Sequence, residues 1–372
     1  MWRNYLTVGF RALAKNKTYA FINIFGLALG LAACLMILLY VRYEMSYDSW
    51  MPGADRAYQF QAWYKPTESG GEEMKLQMTE FASRDALMKD FPQVEKAVYV
   101  CSCGNVIKQD GKATFADRFN FVDGNLFEIL QVPFVKGDPK HALDDTTSLV
   151  LTETEATKRF GKSDPIGKTL TLVGKSRSTD YKVTGVIKDL PKNSHLELGV
   201  VARFDPKDYF SDNPYFLNGW SSQGGWVYVK LRPGVNAEDI NRQLPAWEKR
   251  NIPDDTQGAS GGGEVTNPGD VQDWRLVNVK DIHLGEGQRA SMTPGNDRRT
   301  MITFAVIALL ILGMAIVNFT NLATARASQR AREVALRKVL GANRKQLIVQ
   351  FLGESILVTA LAMLLALALV EL

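Results

Sequence analysis

The sequence predicts a membrane protein: α-helical transmembrane segments with a large α+β extracytoplasmic domain inserted between the first and second. Three observations lead there. Residues 19–40, 300–325 and 346–370 together contain one acid and no base. Most of the chain's 44 Lys and Arg and 40 Asp and Glu fall instead in residues 43–299. The two short segments 1–18 and 326–345 are strongly basic, which orients the chain. With 46% hydrophobic and 23% charged residues among 372, the composition excludes a disordered or collagen-like polypeptide.

The chain opens with a basic segment, residues 1–18, carrying Arg3, Arg11, Lys15 and Lys17 without an acid. The first transmembrane helix follows at 19–41. Its uncharged run, Tyr19 to Tyr40, is 22 residues long. At about 1.5 Å per residue it crosses a hydrocarbon core of roughly 30 Å. A cleaved signal peptide has an apolar core of about 7–15 residues followed by small residues. Here the run is longer and ends in Leu39-Tyr40-Val41-Arg42-Tyr43, an interfacial belt, so the span stays. Gly26 and Gly30 stand four apart on one helix face. Such a pair lets a second helix approach closely, and a chance pair in a glycine-containing span reads the same.

Residues 42–299 form the outer domain. Ala57 to Tyr64 alternates in polarity as a half-buried strand does, Phe81 to Phe91 has helical spacing, and Val94 to Cys101 returns to strand. Thr152 caps a short helix ending near Gly161. Thr169–Val173 and Tyr181–Ile187 pair across a polar turn, Trp226–Leu231 is a further strand, and Gln257–Gly263 reads as a loop.

Little in this domain carries chemistry. Gly161 to Thr169 nearly spells a phosphate-binding loop, with five residues between the glycines where the motif has four, a Pro inside, and a strand where a helix should follow. A turn into a strand is the reading. His141, His195 and His283 are far apart in sequence, and no metalloprotease motif, nucleophile elbow or clustered carboxylate pair appears. No catalytic residue, metal or cofactor is expected, and the chain does not read as an enzyme. Cys101 and Cys103 leave open a strained disulfide or two small buried side chains. Trp63, Trp220, Trp226 and Trp274 read equally as core or contact surface.

The second span, residues 300–325, starts after Arg298-Arg299 and holds Asn318 and Asn321, placed to hydrogen-bond across helices. A loop at 326–345 follows, and then the third span, 346–372, with Glu354 as its one internal charge. Intramembrane ionisable residues are costly; here helix–helix packing is the reading, with Glu354 within reach of the inner interface. In the loop, Ala335, Leu336, Val339 and Leu340 form an apolar stripe, Glu333 and Arg337 an i,i+4 pair, and Gly341 a stop. A basic amphipathic helix of this kind binds a lipid surface or docks in a partner's groove.

Orientation follows from the bases. Outside residues 43–299 lie 12 bases and three acids, which leaves 32 bases against 37 acids within them. The insert is therefore net −5 and the remainder net +9. Short basic segments stay in the cytoplasm, so the N-terminus and the 326–345 loop face inward and the insert faces out.

Asn318-Phe319-Thr320-Asn321, then Arg332-Glu333-Val334-Ala335-Leu336-Arg337-Lys338 with Gly341-Ala342, then Phe351-Leu352-Gly353-Glu354, resemble the MacB/FtsX-like permease family of ABC transporters. In the insert, Phe121-Val122-Asp123-Gly124-Asn125-Leu126-Phe127, Gly137-Asp138-Pro139, Pro165-Ile166-Gly167-Lys168 and Asn193-Ser194-His195 resemble the MacB-like periplasmic core domain. The resemblance covers essentially the whole chain. It implies a non-ATPase permease subunit that dimerises, or pairs with a second permease half, and works with a separate cytoplasmic ATPase. Arg332, Glu333, Leu336, Arg337, Lys338 and Gly341 would belong to the coupling helix resting on that ATPase. ATP-driven closure would tilt the spans and move the outer domain (mechanotransmission), in efflux or export. An alternative role is an FtsX-like regulator that activates an envelope enzyme without transport. A periplasmic adaptor or envelope enzyme and membrane lipid are the other partners implied; nucleic acid is not. Family members have at least four spans, so the sequence is expected to be a fragment or a split form ending after the third.

Overall fold

The fold comes from a computed structural model. It describes residues 17–65, 73–102, 104–174, 178–220, 223–252, 267–285, 288–329, 331–341 and 343–371, with backbone alone at 268, 271, 326–329, 332, 333 and 337. Arg3, Arg11 and Lys15, Cys103 and the Gln257–Gly263 loop lie outside the described residues. The chain divides into two compact units, one from residues up to 43 together with those from 299 onward, the other from residues 44–298.

The first unit consists of long helices, Lys17–Glu44, Arg298–Gln329 and Arg344–Glu371, each with a stretch apolar and long enough to cross a membrane. A backbone in hydrocarbon must satisfy its own hydrogen bonds, which is why uncharged runs of this length are helical. Their common core is made of small side chains: Ala28, Ala32, Ala315, Ala362 and Ala366, with Leu27 beside them.

The second unit is built on one continuous mixed sheet. In order across it run Gln288–Arg289, Met74–Leu76, Ala57–Tyr64, Gln223–Leu231, Val94–Ser102, Phe119–Val122, Val200–Arg203, Ser148–Thr152, Ser178–Ile187, Thr169–Val173, Asn105–Gln109 and Lys112–Ala116. Gln272–Asn278 is a second antiparallel neighbour of Ala57–Tyr64. Most pairs are antiparallel; Val200–Arg203 lies parallel to Phe119–Val122, Ser178–Ile187 to Ser148–Thr152, and Gln288–Arg289 to Met74–Leu76.

Alternate residues of the same strands feed two separate cores. From Gln223–Leu231, Val227 and Val229 enter one and Trp226 and Tyr228 the other. From Val94–Ser102, Tyr99 and Cys101 go one way and Val98 and Val100 the other. Side chains of a strand alternate between its faces, so a strand buried on both sides needs apolar residues at consecutive positions. That corrects the half-buried reading of Ala57–Tyr64. Phe60 and Ala62 face one core, while Gln59 and Gln61, which read as solvent-facing, are fully buried on the other side.

Smaller elements follow their local chemistry. Phe81–Asp90 is helical, and Thr169–Val173 pairs with Ser178–Ile187, Leu170 opposite Tyr181. Thr152 caps the helix Glu153–Phe160 by accepting from Glu155 N. The near phosphate loop is a turn: Gly167, at φ 80°, gives its N–H to Val183 O at 2.8 Å, and the strand starts two residues later. Its amide is spent on the sheet, so it is not available to a phosphate.

Candidate functional site

Three regions could do work: the loop between the second and third spans, the packing surface of the spans, and the root of the outer domain. In the loop, Ala331–Val339 is a separate helix following Arg298–Gln329. Gly341 ends it at φ 90°, a conformation that favours glycine, with its N–H donating to Lys338 O at 3.1 Å. Leu336, Val339 and Leu340 are 66%, 87% and 78% exposed, with exposed Lys338 among them. The side chains of Arg332, Glu333 and Arg337, and with them the expected ion pair, lie outside the described residues. Asn343 then opens the third span, its N–H donating to Gln346 Oε1 at 3.0 Å as in a capping box.

The glycine pair of the first span faces the second. A Cβ on Gly30 would stand 2.5 Å from Ala315 Cβ, and one on Gly26 would stand 3.6 Å from Asn318 Nδ2. Asn318 and Asn321 are themselves exposed, and among the described residues neither makes a side-chain hydrogen bond, so the helix-crossing bond expected of them is not formed. Glu354 is half-buried and accepts from Gln350 Nε2 at 3.4 Å, one turn away on its own helix.

The third region was not legible in the sequence. Glu44, the last residue of the helix that begins at Lys17, accepts from His283 Nε2 at 2.7 Å and from Asn296 Nδ2 at 3.1 Å. Tyr47 stacks on the His283 ring. Asp48, fully buried at φ 54°, accepts from Ser194 Oγ and from His195 N, and its Oδ2 lies 2.8 Å from His195 Nδ1. Asn193 O takes the Asp48 N–H, and Asn193 Nδ2 donates to Ser46 O. Two of the three histidines thus fasten residues 44–48 to remote parts of the domain; His141 is exposed and pairs with Asp144 at 2.8 Å.

Ser194, His195 and Asp48 have the composition of a hydrolytic triad without its geometry. Ser194 Oγ donates to the carboxylate, not to the imidazole, and all three side chains are buried. Three further buried carboxyls of the domain serve as structural acceptors, two of them on Trp274. Burial raises Glu80, whose oxygens accept from Trp274, Gln272 and Gln223 side chains. Burial pushes Asp123 up to about 6, against the pull of Arg84 at 2.8 Å. Burial likewise pushes Glu248 up to about 7, its carboxylate holding Trp274 N at 3.1 Å. Each carboxyl ties strands or helices together. Among the described residues no three His, Cys, Asp or Glu side chains converge as a metal site would require. Cys101 is buried with Sγ 3.7 Å from Tyr209 Oη.

Comparison with known proteins falls on both parts of the chain. Residues 20–247 match the MacB-like periplasmic core domain, and residues 305–372 the FtsX-like permease C-terminal domain. The macrolide export ATP-binding/permease protein MacB of Bdellovibrio bacteriovorus is 25% identical over 230 residues, 60% of this chain and 30% of the relative. MacB of Neisseria gonorrhoeae is 23% identical over 71% of this chain and 37% of its own length. The uncharacterized ABC transporter permease YknZ of Bacillus subtilis is 35% identical over 95 residues, a quarter of this chain and 22% of its own length. The chain therefore spans about a third or less of these relatives. Among solved structures, a domain of a permease protein from Porphyromonas gingivalis is similar at 21% identity and TM-score 0.48, covering 68% of this chain and 98% of that one. The periplasmic region of MacB from Actinobacillus actinomycetemcomitans is similar at 13% identity and TM-score 0.39, covering 60% and 90%.

Proposed function

The chain belongs to the MacB/FtsX-like permease family of ABC transporters, and from that premise we propose that it is the membrane subunit through which a separate cytoplasmic ATPase moves an extracytoplasmic domain. The observation that carries this is the helix Ala331–Val339. It is short, basic, set between two spans, and it leaves Leu336, Val339 and Leu340 uncovered. An exposed apolar stripe on a helix of basic sequence suits a groove on a soluble partner. The 372 residues hold no phosphate-binding loop of their own, since the near match at 161–169 is a turn into a strand. In this reading a partner ATPase supplies the ATP chemistry, and these residues contribute positions rather than bonds broken.

In this reading the basic 326–345 loop faces the cytoplasm, the 44–298 unit faces outward from the inner membrane, and the subunit works as a homodimer or with a second permease half. Closure of the ATPase pushes the loop helix, the spans move, and the outer domain follows, serving efflux or export. The test is co-purification of the full chain with an ABC ATPase. Reversing both charges, Glu333→Lys with Arg337→Glu, is expected to abolish recovery of the ATPase while the chain still folds. An unmodified chain that recruits no ATPase overturns the proposal. Cross-linking in envelopes divides the outcomes further: an outer-membrane channel or adaptor supports export, and a cell-wall hydrolase supports an FtsX-like regulator.

A further inference from the structure

One run of polar contacts crosses the outer domain in a single sense, donor to acceptor. Gln77 Nε2 donates to Gln288 Oε1 at 2.6 Å, and Gln288 Nε2 to Gln61 Oε1 at 3.1 Å. Gln61 Nε2 donates to Gln59 Oε1 at 2.8 Å, and Gln59 Nε2 to Tyr228 Oη at 3.1 Å. Tyr228 Oη lies 3.0 Å from His195 Nε2. The phenol oxygen accepts from Gln59 and keeps its own proton to share with His195 Nε2, so one hydroxyl joins both neighbours. His195 Nδ1 faces Asp48 Oδ2 at 2.8 Å, off the hydrogen-bond line, while His195 N and Ser194 Oγ bond the same carboxylate directly.

Gln77, Gln61, Gln59, Tyr228, His195 and Asp48 are all buried, and the Tyr228 ring belongs to the core cluster of Val98, Val100 and Val201. Apolar residues of equal size would fill this space at less desolvation cost. What a polar run supplies instead is direction. Apolar contacts let neighbouring strands slide, whereas each link here has one satisfied arrangement, and a broken link leaves two buried groups without partners.

The ends of the run are informative. One end, Asp48, lies four residues beyond Glu44, where the first long helix stops. Next to the other end, Gln77, stands Gln288, in the segment that passes His283 and Asn296 and continues into the helix starting at Arg298. Those two residues are bonded to Glu44. The run therefore lies between the two segments by which the chain leaves the outer domain for the membrane, near each of them in sequence, and it crosses the strands Ala57–Tyr64 and Gln223–Leu231.

We infer that Asp48 and His195 are positioning residues for transmission: with Tyr228, Gln59, Gln61 and Gln288 they form a stiff polar strut that passes a displacement at the end of the first span to the sheet. This deepens the proposed function, since it names the part of the outer domain that receives the push.

The test uses the full chain in lipid nanodiscs, alone and with the ATPase it recruits, read by hydrogen–deuterium exchange. Tyr228→Phe keeps the ring and removes the hydroxyl. Val201→Ala opens a cavity in the same core without touching the run. Without ATPase, Tyr228→Phe is expected to raise exchange about tenfold in both 44–49 and 288–289, which Val201→Ala leaves near their original rates. With ATPase and ATP, the unmodified chain is expected to show altered exchange in 57–64 and 288–289, and Tyr228→Phe to lose that response while ATP turnover continues. Loosening confined to the strand around residue 228, or equal loosening of both end segments by Val201→Ala, overturns the strut. So does an ATP response that survives Tyr228→Phe unchanged. An unmodified chain whose outer domain ignores ATP overturns the proposed function instead, and the ATPase-free exchange then decides the strut by itself.

Discussion

The spans and the outer domain solve the packing problem with opposite materials. Between the spans, contact is made by Ala28, Ala32, Ala315, Ala362 and Ala366, and a Cβ on Gly30 would collide with Ala315. In the outer domain the largest fully buried side chains are Trp274, Tyr99, Tyr228 and Phe60. Lipid tails are as apolar as leucine, so burying a large side chain between helices gains nothing over leaving it in the bilayer, and close backbone approach is what remains to hold helices together. In water the gain scales with apolar area removed, and aromatic side chains supply the most of it. A substitution should accordingly hurt the two regions by different means.

The largest effect is expected from enlarging a space in the outer domain. Phe60→Ala should cost about 3–5 kcal/mol, seen as a lower guanidinium midpoint of tryptophan fluorescence in the full chain. Filling a space should be what harms the spans. Gly30→Val is expected to cost on the order of 1–3 kcal/mol of span association in an SDS titration, because the added methyls meet Ala315. Gly313→Val is the matching control: nothing lies within 4 Å of a Cβ there, and the midpoint should stay put. If both valines behave alike, close packing at Gly30 is not what joins these helices.

Buried charge gives the outer domain a further sensitivity, to pH. Glu248 ordinarily titrates near 4.5 and is held at about 7 by burial. Its folded value lies above its unfolded one, so the stabilisation is complete below about 4.5 and is lost as pH rises through about 7. Thermal unfolding of the outer domain should weaken from pH 5 to pH 8 by on the order of 1–3 kcal/mol, and Glu248→Gln should flatten that slope. The smallest stability effect is expected at the loop helix. Val339→Asp on its exposed stripe should change neither region's midpoint by more than about 0.5 kcal/mol, yet prevent recovery of the ATPase.

The spans, their order and the loop helix were legible because each is announced over consecutive residues, by absence of charge, by flanking bases or by 3.6-residue spacing. Five of the longer outer strands, at 57–64, 94–102, 169–173, 178–187 and 223–231, were legible for the same reason, and the shorter ones were not. The root was not. His195 meets Asp48 across 147 positions and His283 meets Glu44 across 239, and no local pattern marks either partner. Gln59 and Gln61 misled for a related reason: alternation reports which residues are polar, and a polar residue takes the solvent face only if no distant strand brings it a partner. Gln288, 227 positions from Gln61, is that partner. The glycine pair was read as an approach surface, but only coordinates show Gly30 against Ala315 of the same chain.

The bond from Asn296 to Glu44 joins residues 252 apart at 3.1 Å, so the insert begins and finishes at one point. A module whose two ends meet makes no demand on the separation of whatever it is spliced into. It can be lifted out, replaced by a bulkier or slimmer head, or dropped into a different pair of helices without stretching either, which leaves the head free to diversify while the hinge beneath it stays the same.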